Sequence, residues 1–182
     1  AVEIDEKSDW IIAESLMRKY GEQKDSIPSK NIKLFLTDVD GVLTDAGMYY
    51  SENGDELKKF CTYDGMALRL LQEKGVKVGM ITTENRELNR RRAQKLKLDF
   101  DFHGVQNKLE LVKDLCVSEK ISLDEIAYIG DDVNCLELLT QVGIAACPAN
   151  AMSKIKNIPN IICLNKSGGE GVVREFIENH LM

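Results

Sequence analysis

The sequence predicts a doubly wound α/β fold, in which a parallel sheet carries helices on both faces. Apolar runs at 32–37, 76–82 and 126–130 are almost unbroken, as expected of strands that are buried on both sides. Helical patterns separate these runs, and each connection is long enough for a crossover helix. This repeated alternation of strand and helix favours a parallel sheet over an antiparallel one.

The remaining elements follow in order along the chain. Helical patterns are expected over 65–74, 85–96, 107–118 and 172–181, and two short strands around Ile144 and Ile161. Residues 47–60 depart from the alternation, because Asn53-Gly54 stands between two partly apolar arms. An Asn-Gly pair in that setting predicts a β-hairpin, inserted directly after the first strand.

The chain is expected to have two parts. Residues 8–20 place Trp10, Ala13, Met17 and Tyr20 at steps of three and four, which predicts an amphipathic helix. The polar stretch 21–30 is typical of a linker. Residues 1–30 therefore form a helix and linker in this prediction, and residues 31–182 form one globular domain.

The amino-acid composition disfavours several classes of protein. Hydrophobic residues make up 43% of the 182 residues, which disfavours disorder, and the net charge of −6 disfavours a nucleic-acid partner. No run approaches the roughly eighteen apolar residues of a membrane span, and the first residues do not resemble a secretory signal. We therefore expect a cytoplasmic chain without a membrane partner. Its five cysteines form no CxxC pair and are expected to be reduced, buried thiols.

Two carboxylates follow the first strand. Asp38 and Asp40 start on the same side of an extended chain, and Gly41 then permits a turn. Two adjacent anions on an apolar strand are unfavourable without a cation, so the pair predicts a hard metal ion. A calcium loop does not fit, because Leu43 and Tyr49 stand where glycine and glutamate are required. Taken alone, an acid pair that merely caps a turn remains an equal alternative.

The later strand ends favour the chemical interpretation. Thr82 offers a hydroxyl and backbone amides for phosphoryl oxygens, Lys108 offers a fixed positive charge, and Asp131 and Asp132 offer further carboxylates for a metal. An acid pair, a hydroxyl, a lysine and a second acid pair on successive strand ends match the needs of phosphoryl transfer through an aspartyl intermediate.

These residues resemble the four ordered motifs of the haloacid dehalogenase-like phosphatases. The motifs are DVDGVLTD at 38–45, Thr82, Lys108 and GDD at 130–132, and the resemblance covers about residues 31–182. It implies Mg²⁺ as the cofactor, bound by Asp38, Asp40 through its carbonyl, Asp131 and Asp132. It also implies Asp38 as nucleophile and Asp40 as acid and base, with Thr82 and Lys108 stabilising the transferring charge. The sequence departs from the family at Cys135, where many relatives carry an aspartate.

The chain has no room for the cap domain of larger family members. Only a hairpin and one helix fit between Asp40 and Thr82. Among uncapped members, the chain is similar to the sugar-acid phosphatases that act on 3-deoxyoctulosonate 8-phosphate or nonulosonate 9-phosphates. That likeness implies a homotetramer built by the hairpin, with a C-terminal tail in a neighbour's site. Residues 168–171, followed by Arg174, match this tail, although a loop before a terminal helix is the alternative.

The choice between these phosphorylated sugar acids depends on the segment after Thr82. Thr83 and Glu84, together with Lys95, look more like the nonulosonate 9-phosphate type. If the segment is helical, Glu84, Arg92 and Lys95 share one face that could bind a carboxylate and hydroxyls. The predicted substrate-binding residues are Thr82, Thr83, Glu84, Arg92, Lys95, Lys108 and Arg174. A solvated helix face is the alternative.

The first residues carry a second resemblance. Residues 2–17 are similar to the closing segment of acylneuraminate cytidylyltransferases, which implies a phosphatase module or fragment of a fused protein in sialic-acid synthesis. The sugar would then be a sialic acid or its deaminated analogue. In a competing interpretation the domain is an oligomerisation module, as vertebrate versions look catalytically degenerate. The intact motifs favour an enzyme.

Overall fold

A computed structural model describes residues 31–182, so the predicted helix and linker at 1–30 lie outside the described residues. The strands are β1 (Leu34–Thr37), β2 (Tyr49–Tyr50), β3 (Glu56–Leu57), β4 (Lys77–Ile81), β5 (Phe100–Phe102), β6 (Ile126–Ile129), β7 (Ile144–Cys147) and β8 (Ile162–Cys163). The helices are α1 (Thr62–Glu73), α2 (Glu87–Leu96), α3 (Lys108–Glu119), α4 (Leu136–Leu139), α5 (Ser153–Lys156) and α6 (Val172–Phe176), and a looser helical turn continues over Ile177–Leu181.

Within residues 31–182, six strands form one parallel sheet in the order β5-β4-β1-β6-β7-β8. The chain moves from β1 outward through β4 to β5, and then returns to the other side of β1 for the last three strands. The strand order therefore reverses beside β1. Ligands of open α/β sheets bind at the carboxyl ends of the strands at such a point. The predicted doubly wound fold is confirmed.

The core lies on both faces of the sheet. Phe35 belongs to a cluster that contains α1 and α6 residues, whereas Leu34 and Leu36 belong to a second cluster with α3 and α4 residues. Burying each such side chain contributes roughly 1.5–3 kcal/mol. Because β1 is buried on both faces, its carboxyl end is held in a fixed position, and so are the residues that follow it.

The predicted hairpin is also observed. Tyr49 pairs with Leu57 and Tyr50 with Glu56 in an antiparallel register, and Gly54 adopts the positive φ of 87° that the turn requires. On one face of the hairpin the opposed side chains Tyr49 and Leu57 remain in solvent, at 50% and 62% exposed. Large exposed apolar side chains so close together are typical of an interaction surface.

Two sequence predictions need adjustment. The helix expected over 85–96 begins at Glu87, because residues before it are held in a loop by tertiary hydrogen bonds described below. The cysteines are all free thiols, but Cys163 is exposed and Cys61 is half-buried. In the described part of the chain, every helix is too short or too polar to cross a bilayer. The cytoplasmic location stays a prediction.

Candidate functional site

Asp38 is the first residue after β1 and sits in a nearly closed environment. Its amide donates to the carbonyl of Ile129 on β6 at 3.0 Å, which continues the sheet and fixes the backbone. The side chain is 5% exposed. One carboxylate oxygen, Oδ1, accepts from the Val39 amide at 2.7 Å, and Oδ2 accepts from Lys108 Nζ at 2.6 Å. The carboxylate is thus held in one orientation at the carboxyl edge of the sheet.

Lys108 supplies the positive charge for this carboxylate. It is the first residue of α3, and the side chain of Asn107 caps that helix by accepting from the Glu110 amide at 3.1 Å. Burial lowers the pKa of Lys108, but its interactions with Asp38 and Cys135 together outweigh burial and leave that pKa above its usual value. The ammonium group therefore stays charged at neutral pH.

Cys135 lies inside the same cluster. Its thiol donates to Asp38 Oδ2 at 2.9 Å and lies 3.3 Å from Lys108 Nζ and 3.1 Å from the Tyr128 hydroxyl. Burial, and then the charge of Asp38, raises the pKa of Cys135 to about 12. The group is a neutral hydrogen-bond donor to Asp38. Cys135, the residue at which the sequence departs from the family motif, therefore contacts the Asp38 carboxylate directly.

Asp131 and Asp132 follow β6 on the other side of Asp38. Burial, and then the charges of Asp38 and Asp132, raises the pKa of Asp131 to about 7. Asp132 Oδ1 accepts from the Val133 amide at 2.6 Å and so begins a short helical turn. Without a cation, these acids repel one another at close range.

The residues present fit a hard divalent metal ion. Asp38, Asp40, Asp131 and Asp132 line a cavity of about 180 Å³ together with Ala46, Thr83 and Asn134. One ligand atom each of Asp38, Asp131 and Cys135 lie within 4.8 Å of one another. Since the Cys135 thiol stays protonated, the available donors are carboxylate oxygens, which suit Mg²⁺.

Asp40 extends into the cavity with a third of its side chain exposed, and its carboxylate contacts a residue that the sequence analysis missed. Lys58 Nζ lies 2.6 Å from Asp40 Oδ1 and also contacts the Glu84 carboxylate. The Lys58 side chain is only 1% exposed. Burial raises the pKa of Asp40, and Lys58 opposes that shift without cancelling it.

The sequence carried no clear signal for Lys58, because the alternation that places it on the inner side is seen only in the structure. The second hairpin arm alternates, because Glu56, Lys58 and Phe60 are less exposed than Leu57 and Lys59. A lysine on the inner side of a strand arm must meet an anion. Its partners, however, lie 18 and 26 residues away along the chain.

Thr82 directly follows β4 and is buried, and Thr83 lines the cavity. The Thr82 hydroxyl accepts from the Glu84 amide at 3.1 Å, and the Gly104 amide donates to the Glu84 carbonyl at 3.2 Å. These bonds hold residues 82–86 as a loop. Glu84 therefore precedes α2, and the expectation that it shares a helical face with Arg92 and Lys95 is wrong.

The structure places the other predicted substrate-binding side chains outside this cavity. Arg92 Nη2 donates to the Cys61 carbonyl at 2.9 Å, and its guanidinium lies 5.2 Å from the centre of the Phe60 ring. Lys95 is exposed in the last turn of α2. Among residues 31–182, neither contributes to the cavity wall described above. Their roles in substrate binding stay predictions.

The segment before α6 is packed against its own chain. The Gly169 amide donates to the Val42 carbonyl at 3.0 Å, and the Gly168 amide donates to Asn150 Oδ1 at 2.9 Å. Arg174 lies on α6 and pairs with Glu178 one turn later. Arg174 is therefore engaged within its own chain, and its contact with a neighbouring subunit stays a prediction.

Comparisons with known proteins agree with this geometry. A family model described as haloacid dehalogenase-like hydrolase matches residues 102–176. The chain is 33% identical to a 3-deoxy-D-manno-octulosonate 8-phosphate phosphatase of Haemophilus influenzae over 147 residues, which cover 81% of each protein. It superposes on the crystal structure of the corresponding phosphatase of Moraxella catarrhalis, in complex with magnesium, phosphate and KDO, with a TM-score of 0.81 and 32% identity, covering 86% of this chain and 90% of that one.

A further relative extends over the N-terminal segment. The chain is 32% identical to N-acylneuraminate cytidylyltransferase A of Danio rerio over 187 aligned residues, which include all of this chain. The chain spans only 42% of that relative's length. The match agrees with the resemblance noted at residues 2–17.

Proposed function

This chain belongs to the haloacid dehalogenase-like hydrolases, in their branch of Mg²⁺-dependent phosphatases, and we propose that it hydrolyses the phosphate monoester of a sugar acid. The observation that carries the proposal is the 2.6 Å contact between Lys108 Nζ and Asp38, beside the acidic residue Asp131. This contact holds a carboxylate and a charged ammonium group at a cavity lined by further acids. A domain that served only as an oligomerisation module would not need this arrangement.

In the first step, a carboxylate oxygen of Asp38 attacks phosphorus and forms an acyl phosphate. The bond between phosphorus and the ester oxygen breaks, and the Asp40 carboxyl group gives its proton to the departing alkoxide. Burial raises the pKa of Asp40, which favours the protonated form that this step needs. Lys108 and the amides after Thr82 stabilise the charge on the transferring group.

In the second step, the Asp40 carboxylate takes a proton from a water molecule, and the resulting hydroxide attacks phosphorus. The bond between phosphorus and Asp38 breaks, inorganic phosphate leaves, and Asp40 is protonated again. Asp38, Asp131, Asp132 and the Asp40 carbonyl would hold Mg²⁺. When bound, the ion offsets the repulsion between the anionic ester and the carboxylates.

Hydrolysis of p-nitrophenyl phosphate with and without Mg²⁺ tests the mechanism. Wild-type protein should turn over with Mg²⁺ and lose activity in chelator, and Asp38→Asn should be inactive while keeping its fold. Asp114→Asn makes the same chemical change at an exposed site of α3 and should behave as wild type. Retained turnover in Asp38→Asn would exclude Asp38 as the nucleophile.

Two sugar-acid phosphates are candidate substrates. The octulosonate 8-phosphate is favoured by the identity to phosphatases that carry its name, over most of both chains. A nonulosonate 9-phosphate is favoured by the match of all of this chain to part of an N-acylneuraminate cytidylyltransferase and by Glu84, which contacts Lys58 near the cavity. Comparing kcat/KM for both esters, with simple sugar phosphates as reference, decides between them.

A second copy of the chain is the partner that suits this open site. The hairpin presents Tyr49 and Leu57 to solvent on one face, and the same arm carries Lys58 on the other face. Burying such side chains between subunits would remove apolar surface from water and exclude water from the reaction. A homotetramer is the assembly that the resemblance implies. Light scattering of Leu57→Lys against wild type tests it, and an unchanged mass would contradict the role of the hairpin.

A further inference from the structure

Lys58 is a buried charged residue that the mechanism above does not use. It lies one position after β3, on the inner side of the hairpin arm, and its side chain is 1% exposed. Its Nζ atom lies 2.6 Å from Asp40 Oδ1 and also contacts Glu84. It therefore joins three separate segments: the hairpin, the turn after β1 and the loop after β4.

Charge decides what such a lysine can do. One ammonium group faces the carboxyl groups of Asp40 and Glu84, so the cluster has no net positive charge whether or not Asp40 holds its proton. It would not attract the carboxylate of a sugar acid. Asp40 and Glu84 would repel each other without Lys58, because the same Nζ contacts both. Lys58 thus acts on the two carboxylates and does not serve as an anion-binding residue.

The other constraint on Asp40 is weak. The Thr44 hydroxyl lies 3.4 Å from Asp40 Oδ1, which is long for a hydrogen bond. The contact with Lys58 is short and charge-assisted, and it comes from a side chain that is itself immobilised by burial. The direction in which the Asp40 carboxyl group faces the cavity therefore depends mainly on Lys58.

We propose that Lys58 is a positioning residue that orients Asp40 toward the ester oxygen of the leaving alcohol and fixes its place relative to Glu84. This inference rests on the proposed function, because it assigns a leaving group to Asp40. Glu84 is 31% exposed and keeps oxygen surface for a hydroxyl of the substrate. The arrangement suits a polyhydroxylated alkyl phosphate, whose alkoxide leaves only when it is protonated.

Two esters with different leaving groups separate positioning from folding. The alkoxide of a sugar-acid phosphate needs a proton from Asp40, whereas p-nitrophenolate leaves without one. Lys58→Met should therefore lower kcat/KM for the better sugar-acid phosphate by about 100-fold, which is the size of a general-acid contribution. The same variant should change kcat/KM for p-nitrophenyl phosphate by less than about tenfold. Asp40→Asn should show the same pattern. Lys59→Met, at the exposed neighbouring position, should match wild type on both esters.

Lys58→Arg and Glu84→Gln complete the set. The arginine keeps the charge and should recover part of the loss on the sugar-acid ester, and Glu84→Gln should reduce kcat/KM for that ester alone. An equal fall in kcat/KM of Lys58→Met for both esters would overturn the positioning role in favour of a structural one. An unchanged value on the sugar-acid ester would also overturn it.

A measurement without turnover keeps this inference distinct from the proposed function. Wild-type protein that hydrolyses neither ester would contradict the phosphatase proposal and, with it, the role assigned to Asp40. In that case thermal unfolding still tests the contact. If Lys58 holds Asp40, the loss in Tm for the double variant Lys58→Met/Asp40→Asn is smaller than the sum of the single losses. Additive losses would overturn the contact itself.

Discussion

Gly41 and Asp131 approach each other so closely that no side chain fits between them. A Cβ atom on Gly41 would lie 1.9 Å from Asp131 Oδ2, and Gly41 also adopts a φ of 80°. The turn after β1 therefore packs its backbone directly against the carboxylate that follows β6. Two motifs that are 90 residues apart in sequence form one continuous wall.

Gly41→Ala should abolish most activity by displacing Asp131. The positive φ alone costs about 1 kcal/mol, and the clash adds a shift of the carboxylate. Gly75→Ala is the matched control, because Gly75 has a φ of 86° and open space around it. Both variants should lose similar backbone stability in thermal unfolding, but Gly41→Ala alone should lose turnover. Equal turnover in the two variants would contradict the steric argument.

Removing the charge of Lys108 should leave Asp38 buried without its cation. Breaking a buried pair in this way costs about 3–5 kcal/mol, so Lys108→Met should unfold at a lower temperature and lose at least about 100-fold in kcat. Mg²⁺ should restore part of the stability, because it places a new positive charge beside Asp38. Lys113→Met, exposed on the same helix, provides the comparison. A variant with wild-type kcat would exclude Lys108 from the chemistry.

Mg²⁺ should stabilise the protein through its acidic residues. A ligand at tenfold its Kd adds about 1.4 kcal/mol to the free energy of unfolding, which a thermal shift detects. Asp131→Asn should abolish the shift, while Asp132→Asn should reduce it less, because Asp132 also caps the Val133 amide. Asp114→Asn should retain the full shift. A normal shift in Asp131→Asn would remove that residue from the metal site.

Asp64 should give stability an unusual dependence on pH. It is fully buried, and burial raises its pKa to about 6, against hydrogen bonds from the Arg174 and Val173 amides. Above that pKa, the folded protein carries a buried charge that the unfolded chain accommodates more easily. As the pH falls through 6, Asp64 takes up its proton in the folded protein before it does so in the unfolded chain. The free-energy cost of the buried charge is then lost, and the folded state becomes more stable.

The comparison with Asp64→Asn isolates this contribution. The free energy of unfolding of wild type, relative to the variant, should increase by about 2 kcal/mol between about pH 7.5 and about pH 4.5. Urea titrations at several pH values measure it, with Asp114→Asn as the exposed counterpart. A difference that stays constant with pH would show that Asp64 has an ordinary pKa.

The elements that the sequence predicted well depend on local patterns. The strand before Asp38 is an unbroken apolar run because both its faces are buried, and the hairpin follows from Asn53-Gly54. Strand ends then place Asp38 and Asp131 together, since parallel strands share one carboxyl edge, and the first residue of α3, Lys108, reaches the same edge. These predictions needed only periodicity and the rules of sheet topology.

What the sequence did not predict depends on contacts between distant segments. Glu84 lies in a loop because Thr82 and Gly104 bind its backbone, so the helical spacing to Arg92 was misleading. Arg92 itself packs over Phe60, which comes from the hairpin arm. Lys58 looks like an ordinary surface lysine until its partners are known. Neither spacing nor composition contains such information.

The hairpin finally links the outer surface of the domain to its chemistry. The alternation that turns Leu57 outward turns Lys58 inward, so these adjacent residues lie on opposite faces of the two-stranded ribbon. A substitution that tilts the ribbon from outside consequently moves an ammonium group inside. A change on the outer face of the hairpin therefore affects the reaction only where it displaces this ribbon, and Lys58 with it.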